Sequence, residues 1–412
     1  MKQNEIAPHL FRTEYSKIVA VLCRTFRLQY IEIAEDIASE TFLKAYESWA
    51  VHGLPDNPTA WLYTVAKNKT KDYFKHLGVV ETKTREALET NEFEVEQEFE
   101  FSNQNVSDSQ LAMIFSVCNP ANSTEAQICL ALQILCGFSL EEIANAFLAR
   151  SETIKKRLQR ARTNLRKENF EIKNLSEIDV KSRLNAVLKT LYLLFNEGYF
   201  SQTNNLLIRK DLCSEAIRLV LILTENPLTN TPQVNALLAL MCFQSSRLEA
   251  RTNSRGEAIL YDLQDKGLWN KTLIEKGNYY LMSACKGNEV SKYHLEAAIA
   301  YWHTTPTDEN KWKHILDLYN QLALIESSPI TALNRIFAYS KIYGNHKAIT
   351  EVEKLDLTDN NYYHGLLGYL YADNNIDQAI SHYEQAIKLT KSKMERQTLV
   401  KEIERMKDIN NR

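Results

Sequence analysis

The sequence predicts an all-α protein, and three observations carry that reading. Glycine and proline are scarce, 11 and 8 of 412 residues, which leaves little punctuation for hairpins or sandwiches. Apolar residues recur mainly at spacings of three and four, the period of a helix face. The run SLEEIANAFLARSETIKKRLQRARTNLRK, residues 139–167, reads as two helices around a tight turn. The length suits two or three domains, each with its own core.

Composition excludes several function classes. The net charge of −3 hides a strongly basic helix near residue 155 and a strongly acidic stretch from Glu81 to Asp108. No run approaches the roughly 18 apolar residues of a membrane span, and MKQNEIAPHLFRTEYSK lacks an apolar signal core, so a cytoplasmic protein is expected. Seven cysteines are scattered without a C-x-x-C pair, and nine histidines show no metal-ligand spacing. Cys129 and Cys136 sit among aliphatics, where buried thiols are the rule. No glycine-rich phosphate loop or G-x-S-x-G elbow occurs. Neither a cofactor, a metal nor catalysis is expected.

Taken in order, residues 8–30 predict one or two helices with Leu10, Phe11, Tyr15, Ile18, Val19, Leu22 and Phe26 as core. In residues 31–49, Ala34, Ile37, Ala38, Phe42, Ala45 and Trp49 trace an apolar face, with Glu35, Asp36, Glu40, Lys44 and Glu47 mostly outside it. The loop 52–58 carries glycine and two prolines and separates helices. A third helix then places Trp61, Leu62, Val65 and Ala66 inward and Lys67, Lys71 and Lys75 on one basic stripe. Tyr63, Tyr73 and Phe74 interleave with those lysines, a mixture suited to an opened nucleic-acid strand or to a core with solvated lysines beside it. Residues 80–110 are glutamate-rich and poor in aliphatics, which predicts a flexible linker.

At residue 139 a capping box is expected, Ser139 with Glu142, followed by Leu140, Ile143, Ala144 and Phe147 on one face. Ser151 is placed to cap the second helix, whose stripe Ile154, Leu158, Ala161 and Leu165 is apolar. Arg150, Lys155, Lys156, Arg157, Arg160, Arg162, Arg166 and Lys167 crowd its other faces. A basic helix behind a short turn suits DNA, because its cations displace counterions while its N-terminal residues reach base edges.

The acidic helix, the A-W-L-x-x-x-A-x-N-x-x-x-D run from Ala60 to Asp72 and the helix-turn-helix, in that order, resemble an extracytoplasmic-function (ECF) sigma factor. The resemblance spans roughly residues 8–170 and implies sigma region 2 at 1–80, the acidic linker at 81–110 and sigma region 4 at 111–170. It implies core RNA polymerase and promoter DNA as partners. Asp36, Glu40 and Phe42 would dock on the β′ clamp helices, and region 4 would meet the β flap. Trp61, Lys67, Asn68, Lys71 and Lys75 would engage the −10 element; Ser151, Thr153, Lys155, Lys156, Arg157 and Arg160 would read the −35 element. Ser39 stands where the family often has glutamine, and YFKH carries fewer arginines than is usual.

From about Leu184 to Met406 the sequence is a succession of amphipathic stretches, and residues 171–412 are expected to form a TPR-like helical domain. HGLLGYLYADNNIDQAISHYEQAIKL resembles a tetratricopeptide (TPR) unit, with Leu367, Gly368 and Tyr371 in its first helix and Ala379, Tyr383 and Ala386 in its second. PITALNRIFAYSKIYGNHKAI, residues 329–349, is a more degenerate copy. YLLFNEGY (192–199), EARTNSRGEAILYDLQDKGLW (249–269) and HLEAAIAYWH (294–303) resemble the ECF subfamily with a C-terminal TPR-like extension. That resemblance implies intramolecular regulation of the sigma domains by the extension. Glu249, Arg251, Glu257, Asp262 and Asp265 are candidates for lining a ligand or partner site, or for holding a polar loop. Two rival readings remain: a helix-turn-helix regulator with a TPR-like sensor, and a TPR-type scaffold.

Overall fold

The computed structural model describes residues 3–26, 31–84, 101–147, 149–167, 176–199, 209–253, 259, 261–287, 289–305, 308–326, 328–390 and 392–410. Their regular structure is eighteen α-helices, one π turn and three 3₁₀ turns. Two compact units emerge, one of Met1–Asn145 with Ala149–Thr190, the other of Leu191–Arg412 with Ala146–Leu148. No described helix is long and apolar enough to cross a membrane.

In the first unit, α1 (Gln3–Phe26), α2 (Ile31–His52) and α3 (Pro58–Thr84) pack together. Ile18, Val19 and Leu22 of α1 are fully buried, as are Ala34 and Ala38 of α2 and Leu62 and Ala66 of α3. The side chains of Leu10 and Phe26, also expected in this core, lie outside the described residues. Two threonines buried inside helices, Thr41 and Thr70, return their hydroxyls to the carbonyls of Ile37 and Ala66 at 2.7 and 2.8 Å, so neither hydroxyl is stranded. α2 ends where Gly53 takes a φ of +80°, and α3 starts on Pro58 with Asn57 Oδ1 accepting from the Ala60 amide.

The expected linker overlaps helices at both ends. Most of it, residues 85–100, lies outside the described residues. α3 reaches Thr84, and α4 (Asn103–Val117) already begins at residue 103. Ser102 caps α4 by accepting from the Asn105 amide, and Val106, Leu111 and Ile114 are buried. These few apolar residues, at helical spacing, outweigh the polar composition of 101–110.

α5 (Thr124–Leu130) runs into the π turn Ala131–Leu135 and is followed by α6 (Leu140–Ala146), α7 (Ser151–Lys167) and α8 (Glu177–Tyr199). The first unit extends along α8 to Thr190, whose hydroxyl donates to Gln127 Oε1 at 2.7 Å. The sequence boundary near residue 170 therefore falls inside this unit, because a polar stretch in sequence need not separate cores.

The second unit holds α9 (Lys210–Glu225), α10 (Pro232–Ser245), α11 (Lys271–Ala284), α12 (Lys292–Thr304), α13 (Lys311–Ile325), α14 (Pro329–Tyr343), α15 (Asn345–Glu353), α16 (Asn361–Tyr371), α17 (Ile376–Leu389) and α18 (Lys393–Asn410). α10 is buried on every side from Val234 to Phe243, which explains a sequence with no polar face. Gly277 of α11 lets Phe243 approach: a Cβ there would stand 2.6 Å from its ring. From α13 onward successive helices pack on one another. In α16 and α17, Leu367, Gly368, Ala379, Tyr383 and Ala386 are buried, and a Cβ on Gly368 would meet Tyr383 at 2.7 Å. Six of the seven cysteines are buried free thiols, and Cys285 is exposed.

Candidate nucleic-acid and polymerase interface

The capping box forms as its spacing requires. The Ser139 amide donates to Glu142 Oε2 at 2.8 Å, and the Glu142 amide donates to Ser139 Oγ at 3.2 Å. The start of α7 differs by one residue. The Arg150 carbonyl accepts from Thr153 and Ile154, so Arg150 holds the cap position and Ser151 is the first helical residue. Ile154, Leu158, Ala161 and Leu165 are 0–4% exposed. Ser151, Thr153, Lys155, Lys156 and Arg160 stand on the exposed face.

Three arginines of α7 are bound to other helices. Arg157 pairs with Glu125 of α5 at 2.9 Å. Arg162 donates two parallel bonds to the Glu35 carboxylate of α2, at 2.7 and 2.8 Å, and a third to Gln133 Oε1 at 2.9 Å. These two side chains are only 11% and 15% exposed. Burial works against the Arg162 charge, but the bonds and charge of Glu35 outweigh it and hold the guanidinium above its ordinary range. Arg166 pairs with Glu32 one turn along. Sequence reading grouped Arg162 with the solvent-facing cations; the bidentate fork is visible only when residues 127 apart meet.

On α2, Asp36 and Glu40 are exposed, as their spacing implied. Glu40 also pairs with Lys69 of α3 at 2.7 Å. Leu43, 58% exposed, shares their face and was missed, since an apolar residue in a helical pattern reads as core. Phe42 is half-buried, its ring 4.8 Å from Phe11. On α3, Asn68, Lys71 and Lys75 are exposed, Lys67 and Trp61 half-buried, and Trp61 lies 5.4 Å from the ring of Trp49. Tyr63 turns away from the lysine stripe: its hydroxyl donates to Glu14 Oε2 at 2.7 Å, and its ring stacks on Phe101 at 4.5 Å.

In the second unit the candidate polar residues hold structure. Glu249 pairs with Lys210, Arg251 donates to the Tyr199 carbonyl, Asp262 pairs with Lys341, and Asp265 caps the Gly267 amide. Glu257 lies outside the described residues. Tyr192 of the first quoted motif donates to Glu296 of the third at 3.1 Å.

Residues 10–78 match the family described as sigma-70 region 2. Residues 183–285 match a family of unknown function, DUF6596. An uncharacterised protein of Rhizobium meliloti (strain 1021) is 32% identical over 358 residues, covering 85% of this chain and 84% of that protein. No solved structure matches. Three packed helices of sigma-70 region 2, followed by an all-helical extension, place this chain in the ECF-type sigma factors that carry a C-terminal extension.

Proposed function

We propose that this protein is an alternative sigma factor whose two nucleic-acid-facing helices direct core RNA polymerase to a restricted promoter set. The sigma-70 region 2 match supports polymerase and promoter DNA as partners. The finer reading rests on α7, which buries one apolar stripe and leaves Lys155, Lys156 and Arg160 exposed on the other side. Those cations suit phosphates and base edges of the −35 element. Lys67, Asn68, Lys71 and Lys75 with Trp61 on α3 face the −10 element. Asp36 and Glu40, with Leu43 on the same face, suit a basic partner helix with an apolar spot, the β′ clamp helices; region 4 meets the β flap. The helices beyond α8 form a TPR-like module that regulates the sigma domains in cis. A covalent tether gives it an effective concentration of order millimolar, so weak intrinsic affinity suffices.

Reconstitution with purified core polymerase tests the class. A sigma factor lets core start at a defined promoter, whereas a free-standing helix-turn-helix regulator or a TPR scaffold does not. Asp36→Lys with Glu40→Lys is expected to abolish core binding in a pull-down while leaving helicity intact, since exposed charges contribute little to folding. A folded double variant that binds core like wild type would remove the docking assignment.

A further inference from the structure

In the second unit, cations from three distant segments gather around Tyr261. Arg247, just beyond α10, holds its guanidinium 4.7 Å from the Tyr261 ring centroid and 5.8 Å from that of Trp269. Lys311, the first residue of α13, is 8% exposed and donates to the Tyr261 hydroxyl at 3.0 Å. Lys341 of α14 donates to Asp262, the residue after Tyr261, at 3.3 Å and to the Tyr369 hydroxyl at 2.8 Å.

The charges do not balance. Among the described residues Asp262 is the one carboxylate paired here, it is 59% exposed, and it reaches Lys341 alone. Arg247 has Gln264 Oε1 at 3.3 Å and no described carboxylate partner. The Lys311 ammonium, with three donors, has Tyr261 as its hydrogen-bond partner. Burial and then the nearby Arg247 push its pKa down, against the opposing charge of Asp262. Unpaired buried cations are costly to keep.

Unsatisfied polar atoms accompany the unpaired charge. Trp269 Nε1 is shielded from solvent without a partner, and indole N–H can only donate. His303 Nδ1, likewise shielded and unpartnered, lies on a ring 5.0 Å from Tyr261 and 5.8 Å from Trp312. Burial, with Arg247 and Lys311 adding to it, pushes its pKa down to about 3, so the imidazole is neutral. The N-terminal turn of α13 contains no acid and Asn310 makes no side-chain cap bond, while Asp308 just before it accepts from the Asn310 amide at 2.7 Å. Two cations without a described carboxylate partner, a third shared between Asp262 and Tyr369, and an unpartnered indole N–H form a donor-rich cluster among aromatic rings.

We propose that this cluster is a binding site for the oxyanion, carboxylate or phosphate, of a small organic molecule, held by Arg247, Lys311 and Lys341 between Tyr261, Trp269 and Trp312. The oxyanion supplies the missing acceptors, and the rings contact the organic part. The site joins the end of α10, the 3₁₀ turn Tyr261–Leu263 and the starts of α13 and the aromatic side of α14, so its occupancy couples segments remote in sequence.

Calorimetric titration of the full chain at constant ionic strength, with inorganic phosphate and with benzoate as probes and chloride as control, tests this. Saturable binding of one equivalent of either probe is expected. Phosphate alone identifies a phosphate-bearing ligand, benzoate alone a carboxylate. Lys311→Met should weaken that binding at least about tenfold, the loss of a charge-assisted contact. The ligand-free K311M chain should melt no lower than wild type, because an unpaired buried charge has been removed. Failure of both probes to bind above the chloride control, or unchanged binding by K311M, overturns the site. So does a K311M chain that melts well below wild type and binds as before on correction for its folded fraction. Should K311M not fold, Lys341→Met, at a half-exposed position, must show the same tenfold loss.

Discussion

Arg157 and Arg160 stand one turn apart on α7 but are not equally available to DNA. Arg160 is exposed, whereas Arg157 is engaged with Glu125 at 2.9 Å. Replacing Arg160 by Ala is expected to weaken promoter binding by about 1–3 kcal/mol if it pairs bidentately with guanine. Arg157→Ala should weaken it less, since in wild type that side chain must first leave Glu125. Competition with scrambled −35 DNA separates base reading from phosphate contact: a phosphate contact lowers affinity on all sequences alike and reduces the salt slope by about one. Unchanged affinity in both variants would remove the recognition-helix assignment. A second residue-scale expectation concerns Glu296 in α12. Burial raises its pKa from the ordinary 4.5 to about 7, against the opposing charge of Lys292 and the bond from Tyr192, with Glu326 adding to the rise. The folded chain thus holds this proton where the unfolded chain releases it, and stability falls as pH rises from about 4.5 to 7. Glu296→Gln keeps an acceptor for Tyr192 and removes the charge. Its melting temperature should exceed wild type at pH 8, by the equivalent of roughly 1–3 kcal/mol, with the gain vanishing near pH 4. An equal gain at both pH values would show that the carboxyl does not titrate in this window.

At the scale of elements, the fork from Arg162 of α7 to Glu35 of α2 ties the helix-turn-helix to the helix proposed to dock on polymerase. Both side chains are largely withdrawn from water, so losing Arg162 leaves the Glu35 charge uncompensated, and losing Glu35 leaves Arg162 with Gln133 and the more distant Glu32. Each single change, Glu35→Gln or Arg162→Met, should destabilise the chain by about 3–5 kcal/mol if the survivor stays buried. The double variant should cost less than the sum of the two, and a thermal-unfolding double-mutant cycle reads that coupling. Strict additivity would mean the pair is not formed in solution. Arg166 and Glu32 lie at the same junction, so two α7 cations are spent on α2 and are unavailable to phosphates in this arrangement. Lys155, Lys156 and Arg160, on the other side of α7, are exposed, with Lys156 4.0 Å from Glu152 of its own helix.

For the whole molecule, the position of a truncation matters. A cut after Lys173 looks harmless in sequence, since it falls in a polar stretch before an apolar helix. In the fold it removes Thr190, whose bond to Gln127 belongs to the first unit, together with the buried Val180, Leu184 and Val187 of α8. A chain ending at Lys173 should therefore melt lower than one ending at Tyr199. With the longer fragment the proposed regulation in cis becomes measurable: its promoter-directed transcription should differ from full length, and a decrease is expected if the extension supports the polymerase-ready form. Equal transcription at equal concentration across several growth conditions would end that proposal. Equal melting of the two fragments would show that α8 contributes nothing to the first unit.

The sequence by itself determined the helices and their faces. Ser139 with Glu142, the stripe Ile154–Leu158–Ala161–Leu165 and the buried Ala34, Ile37 and Ala38 follow from interactions within three or four residues, which spacing encodes directly. The resemblance added the class, because three short motifs in order are far more specific than any one of them. Only the tertiary structure decided which charges are free. Arg162 and Arg160 are indistinguishable in a list of basic residues, yet one is sequestered by Glu35 and the other is exposed. The same holds for Tyr63, drawn to Glu14, for Leu43, left in solvent, and for half-buried Arg247 and buried Lys311, which have no carboxylate hydrogen-bond partner among the described residues. The physical reason is that a residue's local period fixes the direction it faces on its own helix, while the partner it meets there depends on chain segments tens to more than a hundred residues away.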